Sequence, residues 1–420
     1  MKKAVKRKKL IYFDYNATTP VRPEVAGAMA PYLDPEAGLW GNPSSVHFPG
    51  QEARRAVEDA RAGVARFLGA SPEEIIFTSC GTESDTAAIK GAAFAAKERG
   101  KGGHIITSSI EHDCVLFCCE YLRTQGWDVT FLPVDSSGLV DPDEVKKAIR
   151  KDTVLVSVMH ANNETGVIEP VAEIGRICRE REVVFHSDGI QSAGKIPTRV
   201  SELNADLFSL SAHKLYGPKG VGVLYARKGT RLHPLFHGHH ERGRRAGTEN
   251  VAGIVGCAAA CELAGKDMVR DAEKVAKLRD RLEEGILRSV PCVFRNGPKG
   301  GRIPGTSNLS FEYVEGEGCV MLLDLEGIAV STGSACASGT TKASHVLRAM
   351  GVPGNLAQGA LRFSLGHFNS GADVDAALEA VPRVAAKLRS MSPLWEDRTK
   401  GVETRITPPD RFLGLRPPRP

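Results

Sequence analysis

The stretch Leu207-Phe208-Ser209-Leu210-Ser211-Ala212-His213-Lys214-Leu215-Tyr216-Gly217-Pro218-Lys219-Gly220 opens on an apolar run and closes on Gly and Pro. The run 207–211 reads as a strand, and Gly217 to Gly220 as a tight turn. Between them an imidazole and an amine arrive at the strand's C-terminal end. Taken alone, a Lys before Leu-Tyr-Gly-Pro is more often an exposed loop residue. The turn is not a P-loop, because the Gly-x4-Gly-Lys-Ser/Thr spacing is absent. The stretch gains meaning because its form recurs along the chain.

Strand-like apolar runs also occur at 75–78, 104–110, 153–159, 183–187 and 221–225. Residues 51–68 read as an amphipathic helix, with Val57, Ala60, Val64 and Phe67 at helical spacing and Gly69 as its stop. Another helix starts at Asp141, with Pro142 at its first position and Glu144 completing a capping box, and a third covers 171–181. Strands alternating with helices imply an α/β fold whose mostly parallel central sheet is flanked by helices. Residues 247–290 read as helical and lead to a smaller α+β domain. The expected division is a basic tail at 1–9, a segment at 10–20 packing on the small domain, a large domain at 21–264, and a small domain at 265–395. A Pro/Arg-rich tail follows at 396–420.

In open parallel sheets, ligands bind beyond the C-terminal strand ends. Polar residues gather there: Gly81-Thr82-Glu83-Ser84 after 75–78, Glu111-His112 after 104–110, and Asn162 to Gly166 after 153–159. Asp188 and Gln191 follow 183–187, and His213-Lys214 follow 207–211. A Gly-Thr helix start offers N–H groups and a hydroxyl to phosphate. An Asp can pair with a protonated ring nitrogen, a His can stack on a flat ring, and a Lys can form a Schiff base. A phosphate, a ring nitrogen and an aldehyde together describe pyridoxal 5′-phosphate (PLP). Each residue alone is more often a cap or a surface group; the shared rim carries the reading.

The chain has 420 residues, a net charge of +5 and 42% hydrophobic residues. Six of the positive charges lie between Lys2 and Lys9, so the body carries 5 − 6 = −1. Direct nucleic-acid binding is therefore not expected. No apolar run is long enough to span a membrane and no secretory signal is apparent, so the expected location is cytoplasmic. The ten cysteines form no C-x-x-C pair, and free thiols are expected. Cys114, Cys118, Cys119, Cys257 and Cys261 sit among apolar or helical neighbours and read as structural. Cys336, in Thr332-Gly333-Ser334-Ala335-Cys336-Ala337-Ser338-Gly339-Thr340-Thr341, has small and polar neighbours instead.

Several motifs resemble a known family. Ser211 to Gly220 looks like the PLP-lysine segment of class V, fold-type I enzymes. Tyr15-Asn16-Ala17-Thr18-Thr19-Pro20, Gly41-Asn42-Pro43-Ser44-Ser45, Met159 to Gly166, Arg245-Ala246-Gly247-Thr248-Glu249-Asn250 and Ser334-Ala335-Cys336 resemble NifS/IscS-type cysteine desulfurases. The likeness runs in order from about residue 10 to 395. It implies a fold-type I PLP-dependent transferase, converting L-cysteine to L-alanine and leaving the sulfur as a persulfide on Cys336. By this resemblance Lys214 holds PLP and takes the α-proton, Asp188 pairs with the ring nitrogen, and Gln191 bonds the ring hydroxyl. His112 stacks on the ring and moves protons. Gly81, Thr82, Ser211 and His213 bind the phosphate, and Thr248 reaches the phosphate of a neighbouring subunit, implying a homodimer. Asn163 contacts cofactor and substrate, and Arg362 holds the substrate carboxylate.

The loop at about 331–343 resembles the long-loop subgroup that hands sulfur to an acceptor protein, an iron–sulfur scaffold or a thiolation enzyme. Cys336 could also be a transient iron–sulfur ligand; no resident metal is expected. Other readings are a selenocysteine lyase, an aminotransferase, or a non-catalytic sulfur carrier. Where the family has a Gly-rich run, this chain has His237-Gly238-His239-His240-Glu241 with His233 nearby, a set without a familiar metal-ligand spacing.

Overall fold

The computed structural model describes residues 10–332 and 343–399. Its strands are β1 (Ile11–Tyr12), β2 (Ile75–Thr78), β3 (His104–Ser108), β4 (Asp128–Leu132), β5 (Thr153–Ser157), β6 (Val184–Asp188), β7 (Leu207–Ser211) and β8 (Gly222–Ala226), followed by β9 (Val293–Arg295), β10 (Thr306–Phe311), β11 (Ile328–Ala329), β12 (Ser331–Thr332) and β13 (Ala360–Ser364).

Seven strands form one sheet in the order β2-β8-β7-β6-β5-β3-β4. All neighbours are parallel except β8, which runs against both β2 and β7. Alternate residues feed two cores. Ile75, Phe77, Ile106, Val156, Phe208 and Leu210 enter one, while Ile76, Ile105, Leu155, Leu207 and Leu224 enter the other. A sheet buried on both faces explains why its strands read as continuous apolar runs.

A second sheet, β12-β13-β10-β9, is antiparallel and has its own core, including Phe13, Leu309, Phe311, Leu361, Phe363 and Val381. The segment after β1 lies in that core, and β1 pairs in parallel with β11. The 39-residue helix Val251–Ser289 spans both regions. Its first turns bury Ile254, Cys257 and Cys261 against the large sheet, and its later turns bury Val275, Leu282 and Ile286 against the small one.

The structure departs from the sequence reading in local ways. The runs at 104–110 and 153–159 stop being strand at Ser108 and Ser157, where the chain turns toward the rim. The long helix begins at Val251 because Asn250 caps it, accepting from the Gly253 N–H at 3.1 Å. Asp141 does cap Pro142–Ala148, but Glu144 closes no capping box: its carboxylate takes the Lys147 ammonium at 2.6 Å instead. Edge strand β4, half-exposed, carried no clear sequence pattern. Helix Pro393–Thr399 carries the chain past Trp395, whose ring packs against Tyr313 and the Arg389 guanidinium. Among the described residues, no helix is long and apolar enough to cross a membrane.

Candidate active site

Strands β2, β3, β5, β6 and β7 point the same way, so Gly81, His112, Asn163, Asp188 and Lys214 leave the large sheet on one rim. Helix Gly81–Lys97 begins there, and its N-cap, Cys80, supplies no side-chain acceptor. A Cβ on Gly81 would stand 2.3 Å from Ile190 Cδ1 and 3.4 Å from the Ser211 Cβ, so the helix start packs closely on Ile190 and lies beside Ser211. The Ser211 hydroxyl is buried with no hydrogen-bond partner. A helix N-terminus beside a buried hydroxyl with spare hydrogen-bonding capacity suits a phosphate.

Thr82 is exposed at the start of this helix. Half-buried His213 lies within 3.1 Å of the Thr18 hydroxyl through Nδ1. Burial, and then the charges of Lys214, Lys219 and Lys195, push the His213 imidazole down to about 4, so it is neutral at pH 7. Thr248 is exposed and forms no hydrogen bond to this cluster within the chain.

Asp188 closes β6 at 5% exposure and accepts from the Ile190 N–H at 2.8 Å. Burial holds its carboxyl well above the ordinary range; Asp85 adds to the shift and Lys214 opposes it. A carboxyl in this setting ionises most readily opposite a cation such as a protonated pyridine nitrogen. The phosphate cradle, the acid and the amine thus match the three ends of PLP, and the residues fit that cofactor.

His112 caps helix Asp113–Thr124, its Nδ1 accepting from the Cys114 N–H at 3.2 Å. That contact places the ring proton on Nε2. Burial and then Lys214 pull its pKa down, with Asp85 between them pulling the other way. Cys114 is not an inert packing residue: its thiol donates to Asp85 Oδ2 at 3.2 Å and lies 3.0 Å from His112 Nδ1. Cys118, Cys119, Cys257 and Cys261 are buried.

The Lys214 amine donates to the backbone oxygens of Asn16 at 2.5 Å and Ala17 at 2.8 Å. Asn16 was legible only as part of a motif, yet it joins the whole site. Its backbone oxygen also accepts from Gln191 Nε2 at 2.9 Å, and its Oδ1 accepts from Lys195 at 3.1 Å. Its Nδ2 donates to the Asn163 oxygen at 3.2 Å and to the Thr306 hydroxyl at 2.8 Å. Arg362, on β13, completes the far side. It is 2% exposed, donating through Nη1 to the Asn163 oxygen at 2.9 Å and through Nη2 to Asp14 at 2.8 Å. Its Nε has no hydrogen-bond partner among the described residues. Asp14, Asp85 and Lys195 escaped the sequence reading, because no strand end or motif spacing singles them out, and Asn16 entered it only within its motif.

Cys336 lies outside the described residues. The chain before it, at Thr332, pairs with Leu361 beside Arg362. The chain after it is fixed by the Ser344 hydroxyl, which donates to Glu164 Oε2 at 2.6 Å, next to Asn163. In the histidine run, His233 pairs with Glu98 at 2.7 Å and His240 meets the Ser44 hydroxyl at 3.3 Å. Among the described residues no cluster of three His, Cys, Asp or Glu could hold a metal ion.

Residues 11–377 match the aminotransferase class-V family. The chain belongs to that family. Among class-V relatives, it is 51% identical over 391 residues to a Dictyoglomus turgidum protein named cysteine desulfurase IscS, covering 93% of this chain and 98% of that one. A Methanosarcina thermophila protein of the same name is 52% identical over 387 residues, covering 92% and 94%. A solved structure of a NifS-like protein superposes with a TM-score of 0.84 at 41% identity, covering 90% of this chain and all of that one. This class-V chain therefore has the fold-type I architecture that the resemblance of its motifs implied.

Proposed function

We infer that this class-V chain is a PLP-dependent cysteine desulfurase, converting L-cysteine to L-alanine and passing the sulfur to an acceptor. The observation that carries the reading is the one rim holding a lysine amine, a buried carboxyl and a phosphate cradle, tied through Asn16 to a buried arginine.

Bound PLP supplies an electron sink for the charge that develops when the substrate's α-proton leaves. Lys214 is the base for that proton, since its amine occupies the rim and lies close enough to His112 and Asp188 to shift both. Asp188 keeps the ring nitrogen protonated, and His112 covers the ring with its Nε2–H available. Gly81, Thr82, Ser211 and His213 hold the phosphate. Arg362, oriented by Asp14, takes the substrate carboxylate, with Asn163 beside it. The Cys336 thiolate attacks the substrate sulfur: an S–S bond forms, and the Cβ–S bond breaks with its electron pair going to the carbon skeleton, which takes up a proton at Cβ and leaves as alanine. Both described flanks of the Cys336 segment adjoin the Arg362–Asn163 side, which favours this role.

A homodimer in which Thr248 reaches the partner's phosphate belongs to the same proposal, as does delivery of sulfur to an iron–sulfur scaffold or a thiolation enzyme. The test is to purify the protein with PLP and quantify alanine and sulfide from L-cysteine under reducing conditions. One alanine per sulfide, abolished by Lys214→Ala, is expected. Selenide from L-selenocysteine without sulfide from L-cysteine, or transamination without sulfur release, would assign it to another class-V activity.

A further inference from the structure

Lys195 has no place in the reaction described so far, yet its ammonium turns into the site. It donates to Gln191 Oε1 at 2.7 Å and to Asn16 Oδ1 at 3.1 Å. No carboxylate pairs with it among the described residues. Burial, then the charges of Lys214 and Arg362, draw its pKa well below the ordinary lysine range. A cation set near two others, with only amide oxygens for company, is costly to keep unless it orders something.

What it orders is the Gln191 amide. A lysine can only donate, so the atom facing it must be Oε1. The Asn16 carbonyl can only accept, so the atom facing it, at 2.9 Å, must be Nε2. Two independent contacts therefore fix the amide the same way round, and Nε2 keeps a second hydrogen to offer. We propose that Lys195 is a positioning residue of the cofactor site, locking Gln191 so that it presents a donor rather than an acceptor to the PLP ring oxygen. This rests on the reading of Gln191 given above.

The sign of the effect follows. A donor to the ring oxygen lowers that oxygen's basicity and weakens its hold on the proton it shares with the Lys214 nitrogen. Loss of the Lys195 ammonium frees the amide to flip and also removes a nearby positive charge. Both changes strengthen the hold on that proton. The other charged or titratable groups around the site, Lys214, Arg362, Asp188, Asp85, His112 and His213, stay as they are.

The test is a pH titration of the visible absorption of the PLP-loaded protein, together with the rate of PLP loss. Wild type, Lys195→Met, Gln191→Leu and the double variant are compared. Lys195→Met is expected to raise the apparent pKa of the band by about one unit and to speed PLP loss several-fold. Gln191→Leu should do the same, and the double variant should move by clearly less than the sum of the two single changes, because the amide part of the effect is shared. Lys195→Arg, which keeps the donors, should lie nearest wild type, and Lys195→Gln serves if the Met variant folds poorly. If Gln191→Leu shifts the band while the Lys195 variants do not, or if the shifts add, the role of Lys195 is wrong and the cofactor site stands. If Gln191→Leu leaves both the band and PLP loss unchanged, the assignment of Gln191 to the ring oxygen fails first.

Discussion

Arg362 Nη2 and Asp14 Oδ1 meet at 2.8 Å, so the β13 arginine proposed to take the substrate carboxylate is aimed by a residue from the opposite end of the chain. Arg362 stays buried with its Nε unpartnered, a hydrogen-bond donor beyond those it spends on Asp14 and Asn163. Lysine cannot supply that planar fork. Arg362→Lys is expected to raise KM for cysteine about 10- to 100-fold, the loss of one charged hydrogen bond, with a smaller change in kcat. An unchanged KM in steady-state kinetics would mean that the substrate carboxylate binds elsewhere.

Ser211 gives an unusual stability expectation. Its hydroxyl is buried without a hydrogen-bond partner among the described residues. Replacing such a group by a methyl costs the fold nothing and can stabilise it. Ser211→Ala should therefore leave the melting temperature of the PLP-free protein equal or higher, while weakening PLP binding about 5- to 10-fold. Thermal melts without PLP and PLP titrations separate the two effects.

The contribution of two buried carboxyls to stability should fall as pH rises from about 4.5 to about 8. Burial pushes Glu111 up to about 8, from 4.5 in the unfolded chain, and Glu169 likewise. Between those values the folded protein keeps protons that the unfolded chain has released, so unfolding becomes easier as pH rises. His160 and His213, pushed down to about 4, act oppositely, but only between about 4 and 6.5. Glu111→Gln removes one of the two carboxyls. Its melting temperature should gain on wild type steadily from pH 6.5 to 8, by roughly 2 °C or more at the upper end. Parallel curves for the two proteins would contradict this.

The Ser344–Glu164 bond anchors the chain that follows the Cys336 segment. Ser344→Ala leaves a buried carboxylate short of a donor, costing about 1–3 kcal/mol of stability. If this anchor also places the sulfur acceptor, kcat for alanine formation should drop while the visible PLP band and KM stay near wild type. Equal kinetics with lower stability would make the bond purely structural.

The large sheet was legible because strands buried on both faces read as apolar runs, and five of them, pointing the same way, end at polar residues on one rim. Edge strand β4 was not, since a half-exposed strand lacks that signal. Among the site residues, Lys214, Asp188 and His112 could be read from place and chemistry together, and Ser211 only from the resemblance. Asn16, Asp14 and Lys195 could not. Their parts depend on backbone oxygens and on contacts across more than 170 positions of chain, such as Asn16 to Gln191 and Asp14 to Arg362, which no local pattern encodes. Cys114 read as a packing residue because helix neighbours say nothing of the buried Asp85 carboxylate facing it.

The most direct measurement is mass analysis of the PLP-loaded protein after a single turnover with L-cysteine and no reductant. One sulfur atom added on the Cys336 peptide, with one equivalent of alanine, is expected, and Cys336→Ser should form neither at the wild-type rate. Alanine formed at full rate by Cys336→Ser, or sulfur found on another cysteine, would contradict the assignment of Cys336 as the sulfur acceptor.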